Sequence, residues 1–242
     1  LPINPNDFSI ADSFVLPTPE PGVTLVGTEG DDNFLPDGTD TSLRGTESDD
    51  SISGLGGNDN LDGFGGNDTL DGGAGDDNIN PGSGSDIIIG GEGFDNANYD
   101  SWQFLQARGI EANLSGQFVD FGDGTGVNAL TVRDPDGGID TLSGIESVSG
   151  TQYGDAFWYG LGEDMGLQDD GFGNYGLNIF GGEGNDFVAP NGETNIRGFF
   201  QPGLSEFYQD EFGNDDPNAG DYFYTGGFGG HLEFGDIPSY AG

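Results

Sequence analysis

A chain of 242 residues suffices for one large or two small domains, and its 49 glycines follow no collagen-like period of three. The formal charge is −40, with 44 acidic residues against four arginines (Arg44, Arg108, Arg133 and Arg197) and no lysine. Four dispersed arginines cannot form a basic patch, so nucleic acid is excluded as a partner. No apolar run approaches membrane-spanning length, and the absence of cysteine excludes disulfides.

Residues 1–26 carry Pro2, Pro5, Pro17, Pro19 and Pro21. Proline at this density prevents helix and favours extended chain. Two short alternating pieces, Phe8–Ile10 and Phe14–Leu16, lie between the prolines. The segment reads as an extended arm, either a linker to a further domain or a strand that pairs with a neighbouring molecule through Phe8, Ile10 and Phe14. The chain begins at Leu1 with no signal-like segment, which reads as a processed chain or a piece of a longer one.

Residues 27–98 fall into eight blocks of nine. Position six is Asp in Asp32, Asp50, Asp59, Asp68, Asp77, Asp86 and Asp95, and Thr41 replaces it in the second block. Position eight is apolar throughout: Phe34, Leu43, Ile52, Leu61, Leu70, Ile79, Ile88 and Ala97. A disordered Gly/Asp linker has no reason to keep an apolar residue at every ninth position. Six residues rich in Gly and Asp turn the chain. Three residues, polar–apolar–polar, then form a short strand with one inward side chain. Two nonapeptides complete one coil, so blocks n and n+2 stack, placing Asp50 over Asp68, Asp59 over Asp77, Asp68 over Asp86, and Asp77 over Asp95. Stacked turns lie about 4.8 Å apart, and carboxylates that close repel unless a cation separates them. Calcium fits, because it takes about six to eight oxygens and turn carbonyls can complete its shell. The candidate ligands are the seven aspartates with Asp155 and Asp186 further on, and the carbonyls of Gly57, Asn58, Gly66, Asn67, Gly75, Asp76 and Gly84. One apolar residue per block makes a thin core, so several Ca²⁺ ions are expected to contribute folding free energy.

The pattern, clearest in Gly63–Asp71 and Gly72–Asn80, resembles the RTX, or haemolysin-type calcium-binding, nonapeptide family. The resemblance implies a calcium-loaded parallel β-roll, secretion from a bacterium, and folding triggered by calcium outside the cell.

Residues 99–149 read as an intervening β segment. Ile110–Leu114 alternates as a strand with Gln117–Phe121 as its predicted hairpin partner. Gly137–Leu142 echoes the nonapeptide, with Asp140 at position six and Leu142 at position eight. Its run through Tyr99 and Ile145 resembles the segment that separates β-rolls in RTX proteins. Residues 150–198 read as a second, degenerate roll with full blocks at Gly150–Trp158 and Gly181–Ala189. Residues 199–242 are rich in Phe and Tyr. A roll exposes open strand edges and a bare apolar cross-section at each end. This tail therefore reads as a cap or as an interface built on Tyr222, Phe223, Tyr224 and Phe228. The expected fold is all-β: a β-roll, a mixed β segment, a second short roll and an aromatic-rich C-terminal cap.

No catalytic constellation emerges. The one histidine, His231, sits between glycines and Leu232, and no metalloprotease helix, serine elbow or cysteine nucleophile is present. The sequence therefore reads as a non-enzymatic, extracellular calcium-binding structural or surface protein that self-associates in a filament or surface layer. The alternative is the non-catalytic calcium module of a larger secreted hydrolase, epimerase or adhesin.

Overall fold

A computed structural model of the chain describes residues 20–33, 41–100, 104–120, 126–160, 175–182, 186–190, 196–197, 200–201 and 222–223. Every regular element among them is a strand. The repeat accounts for the first eight: β1 (Thr24–Val26), β2 (Leu43–Arg44), β3 (Ser51–Gly56), β4 (Asn60–Asp62), β5 (Thr69–Ala74), β6 (Asn78–Asn80), β7 (Ile87–Glu92) and β8 (Asn96–Asn98). Odd-numbered strands pair in parallel in one sheet and even-numbered strands in a second. In register, Ile52 lies beside Leu70 and Leu70 beside Ile88. Leu61 likewise lies beside Ile79, and Ile79 beside Ala97. Each partner is two blocks away, so this is a parallel β-roll with two nonapeptides per coil.

The core lies between the sheets and is built from position eight. Ile52, Leu61, Leu70, Ile79, Ile88 and Ala97 are all fully buried. A buried leucine contributes about 1.5–3 kcal/mol, well short of the conformational entropy of fixing nine residues. Hydrogen bonds between coils add to it. Asn78 Nδ2 donates to Asn60 Oδ1 at 3.1 Å and Asn96 Nδ2 to Asn78 Oδ1 at 2.9 Å, forming an asparagine ladder at position seven. Position five laces the turns in the same way: Asn67 N donates to Asp49 Oδ1, Asp76 N to Asn58 Oδ1 and Phe94 N to Asp76 Oδ1.

The frame slips at its start. An unbroken frame places Phe34 beside Ile52, but Leu25 holds that place, while Leu43 keeps its predicted partner Leu61. Phe34 lies outside the described residues. Eighteen residues therefore separate the first inward positions, Leu25 and Leu43, where nine separate the later ones. Asn33 and Thr41 are bonded across the extra length, Asn33 N to Thr41 Oγ1 and Thr41 N to Asn33 O. Strand β1 thus falls inside the segment that the sequence reads as an arm.

Beyond Asn98 the strands are β9 (Glu111–Leu114), β10 (Val119–Asp120), β11 (Gly126–Val127), β12 (Thr131–Arg133), β13 (Ile139–Ser143), β14 (Ser147–Ser149), β15 (Ala156–Tyr159), β16 (Tyr175–Gly176), β17 (Asn178–Phe180), β18 (Phe187–Pro190), β19 (Ile196–Arg197), β20 (Phe200–Gln201) and β21 (Tyr222–Phe223). Most of them extend the same two sheets, while β10 with β11 and β16 with β19 form separate two-stranded sheets. The larger runs β1-β3-β5-β7-β13-β12-β9-β15-β18-β21 and the smaller β2-β4-β6-β8-β14-β17-β20. The predicted hairpin of 110–114 with 117–121 does not form. β9 pairs antiparallel with β12 on one side and parallel with β15 on the other, which uses both its edges. β10 pairs instead with β11, and Asn113 Nδ2 pins that loop by donating to the carbonyls of Gln117 and Val127. β12 and β9 form a wedge in the larger sheet between β13 and β15, while β14 and β17 adjoin directly in the smaller one. Of the residues read as a docking or capping surface, Tyr222 and Phe223 form the last strand, beside β18. Phe8, Ile10, Phe14, Tyr224 and Phe228 lie outside the described residues.

Candidate metal centre

Each coil has two turns, and the aspartates at position six line both edges of the roll. The first edge carries Asp32, Asp59, Asp77 and Asp95. The second carries Asp50, Asp68 and Asp86. One contact repeats along both. The backbone N–H of each aspartate donates to Oδ1 of the aspartate in the next coil: Asp50 to Asp68 at 2.7 Å, Asp59 to Asp77 at 2.8 Å, Asp68 to Asp86 at 2.8 Å, and Asp77 to Asp95 at 2.9 Å. All four predicted stacks are therefore present. Asp32 stands one block further from its partner than the frame implies, its N–H donating to Asp59 Oδ1, because of the slip before Leu43.

Two ligand-type residues extend these edges. Asp86 N donates to Asp140 Oδ1 at 3.0 Å and Asp95 N to Glu146 Oε2 at 3.0 Å. Asp140 was legible as position six of a repeat echo. Glu146 was not, because the half-coil from Leu142 to Val148 spans six residues instead of nine and carries a Glu in place of the Asp. Asp155 and Asp186 stack on each other across the wedge from this series, Asp155 N donating to Asp186 Oδ1 at 2.9 Å. The N–H of Ile110, just before β9, donates to Asp155 Oδ1 at 2.6 Å, so in that coil a residue with no carboxylate takes the place of an aspartate.

The second carboxylate oxygen carries the chemistry. Oδ2 of Asp59, Asp68, Asp77, Asp86 and Asp95 is buried with no hydrogen-bond partner. A buried unpaired carboxylate oxygen is costly, and five of them in register call for a common counter-charge. Main-chain oxygens converge on the same places. A Cβ built on Gly54 would overlap both Asp59 Oδ2 and the Gly72 carbonyl oxygen, and one on Gly63 would overlap both Asp68 Oδ2 and the Pro81 carbonyl oxygen. The carbonyls of Gly57, Gly66 and Gly75 face the glycine one coil on, at Gly75, Gly84 and Gly93. Among the described residues no three acidic or histidine side chains come close enough to hold an ion by themselves, so main-chain carbonyls or water would have to complete each shell. Oxygen-only donors of mixed charge suit Ca²⁺ and no soft metal. Residues and ion fit.

Burial also shifts the titration of these groups. It pushes the Asp68 carboxyl up to about 8, Asp95 to about 7 and Asp77 to about 6, with neighbouring carboxylates adding to the effect. Asp155 is raised to about 7 for the same first reason. Asp59 and Glu146 also rise, and Asp86 and Asp140 rise together as a close pair.

Comparison with known families supplies the counterpart. The description RTX calcium-binding nonapeptide repeat matches four stretches, residues 37–70, 44–79, 62–97 and 178–193. The chain therefore carries RTX nonapeptide repeats over residues 37–97 and 178–193. The matches fall on the coils that bear the unpaired oxygens and on the block that carries Asp186. No curated protein matches the chain. RTX repeats bind calcium, and in this chain the central coils present the buried aspartates for it. When bound, the ion supplies positive charge between stacked turns, while the protein's own groups hold the carboxylates in line.

Proposed function

We propose that this RTX chain is a non-catalytic structural domain that folds on calcium outside the cell and then joins to other copies of itself. The observation that carries the calcium step is the set of five buried, unpartnered Oδ2 atoms. Without a cation these oxygens oppose the fold; with one they become its fasteners. Two further points support the extracellular and assembly readings. RTX repeats are typical of secreted bacterial proteins, and no helix among the described residues is long and apolar enough to cross a membrane. Among the described residues β1 and β2 are the outermost strands at one end of the sheets, where an open edge is a template for another chain.

The test measures secondary structure and mass together. In excess chelator, circular dichroism is expected to lose most of the β signal. In millimolar Ca²⁺ the signal returns, and light scattering reports species larger than one chain. A full β signal in chelator sinks the calcium step. A stable monomer in calcium sinks self-association and leaves the detached module of a larger secreted protein as the better reading.

A further inference from the structure

The sequence nominates nine position-six aspartates alike, yet eight of them are presented by turns of two kinds; the ninth, Asp186, has left-handed Gly182 (φ 85) at position two but is not among those with an unpaired Oδ2. In the blocks opened by Gly27, Gly45 and Gly150, position two is threonine. Thr28 N donates to Asp32 Oδ2 at 2.6 Å, Thr46 N to Asp50 Oδ2 at 2.5 Å and Thr151 N to Asp155 Oδ2 at 2.8 Å. The threonine hydroxyl adds bonds to the carboxylate, from Thr46 to Asp50 and from Thr151 to Asp155 Oδ1 at 3.0 Å. It also accepts the N–H two residues on, from Gly30, Ser48 and Tyr153. Closure of the carboxylate by the threonine N–H thus occurs three times, with the hydroxyl bond to it in two of them, while the Thr28 hydroxyl donates to the Gly30 carbonyl at 2.8 Å.

The five turns with unpaired Oδ2 are built differently. Their position-two residues, Leu55, Phe64, Gly73, Gly82 and Gly91, all have positive φ. For Leu55 (φ 75) and Phe64 (φ 67) that conformation costs about 1–2 kcal/mol each, and such strain persists only where the surroundings impose it. The left-handed residue leaves Oδ2 without the N–H that threonine provides. At the far end of the second edge a hydroxyl closes the series again: Tyr99 OH donates to Asp140 Oδ2 at 2.9 Å, fully buried.

We infer that position two decides which turns take calcium: a left-handed residue leaves a carboxylate oxygen open for the ion, and threonine closes it with its own N–H and hydroxyl. Ions then occupy the coils of Asp59, Asp68, Asp77, Asp86 and Asp95, while Asp32, Asp50 and Asp155 are metal-free fasteners. The physical reason is competition. Donor hydrogens placed against Oδ1 and Oδ2 use the lone pairs an ion needs and present positive charge towards it. Metal-free turns beside the ion-bearing coils give the roll a template held by hydrogen bonds alone, from which ordering can spread as ions arrive.

The inference rests on the calcium reading above, and the test separates the two by counting ions. Native mass spectrometry and calorimetric titration of the full chain with Ca²⁺ give the wild-type number. Asp50→Asn and Asp155→Asn are expected to keep that number, and Asp68→Asn and Asp77→Asn to lose at least one ion each. A wild-type chain that takes up no calcium overturns both readings. A wild type that binds, with an ion lost from Asp50→Asn or Asp155→Asn, overturns the inference alone. If a variant does not fold, the wild type still decides by nuclear magnetic resonance. The amide protons of Thr28, Thr46 and Thr151 should lie downfield and exchange slowly in the calcium-loaded chain, as amides bonded to carboxylates do. Shifts and exchange of free amides would overturn it.

Discussion

Asp68 makes two separable contributions. Its Oδ1 accepts the Asp50 N–H, and its Oδ2 has no protein partner. Asp68→Ala removes both, stranding a buried N–H at a cost of about 1–3 kcal/mol in addition to the lost ligand. Asp68→Asn keeps an acceptor for Asp50 and removes only the charge. The alanine variant should therefore unfold more easily than the asparagine variant at saturating calcium, while both bind calcium less tightly than Asp32→Ala. Thermal melts and titrations of the three variants check this order, and equal calcium losses at positions 68 and 32 would contradict the register. Protons should compete with the ion at the same oxygens. In the metal-free roll burial raises Asp77 to about 6, Asp95 to about 7 and Asp68 to about 8, against an ordinary value of 3.8 in the unfolded chain. A folded value above the unfolded one gives stability that is complete below about pH 4 and lost as pH rises through 6 to 8. Calcium-free chain should thus gain β structure on acidification from pH 8 to pH 4. Calcium affinity should fall over the same range, because protonated carboxyls no longer bind the ion. A calcium-free chain that loses β signal on acidification would show that these oxygens are not the ones opposing the fold.

At the scale of the element, the turns tolerate no added atoms. Gly75 has φ +134, and a Cβ there would run into the Gly57 carbonyl. Gly75→Ala should cost well over 1 kcal/mol from backbone strain alone and should lower the melting temperature of the calcium-loaded chain. Gly30→Ala is the control, since a Cβ at Gly30 meets nothing within 4 Å, and it should melt as the wild type does. The wedge is held by different means. Arg133 NH1 pairs with Glu111 Oε2 at 2.5 Å across β12 and β9, and its NH2 donates to the Gly126 carbonyl at 2.9 Å. The ion pair is partly exposed, so Arg133→Ala should cost about 1 kcal/mol or less through the pair, with a little more from the lost carbonyl contact. A double-mutant cycle with Glu111→Ala measures the pair itself, and salt should weaken it.

For the whole molecule the governing quantity is the charge of −40. Like charges keep copies apart over a Debye length of about 30 Å at 0.01 M salt, and bound calcium removes part of that repulsion while completing the roll whose ends then need cover. Calcium-dependent growth in mass should therefore be steeper at 0.15 M salt than at 0.01 M, as light scattering can measure. The connector can be sought by truncation, but the boundary matters. Removal of 1–26 would take away β1 and the Val23 N–H that donates to Asp50 Oδ1 at 2.5 Å. Removal of 1–19 leaves both. The shorter truncation is expected to fold on calcium as the full chain does, and a loss of assembly in it would locate the contact in the arm.

The nine-residue period was readable from the chain alone because it is local arithmetic. Turn residues and one inward side chain recur at fixed spacing, so partners eighteen residues apart follow for Ile52, Leu70 and Ile88, and for Asp50, Asp68 and Asp86. Where spacing breaks, only the folded chain decides. Asp140 meets Asp86 across 54 residues and Glu146 meets Asp95 across 51, because the intervening strands fold out of the spiral and β13 and β14 return to extend it. The wedge of β12 and β9 depends on which sheet edges remain open once β13 and β15 are placed, a property of no single segment. The closed or open state of each aspartate likewise depends on the φ of a residue four positions earlier, which composition does not report and the packed turn imposes.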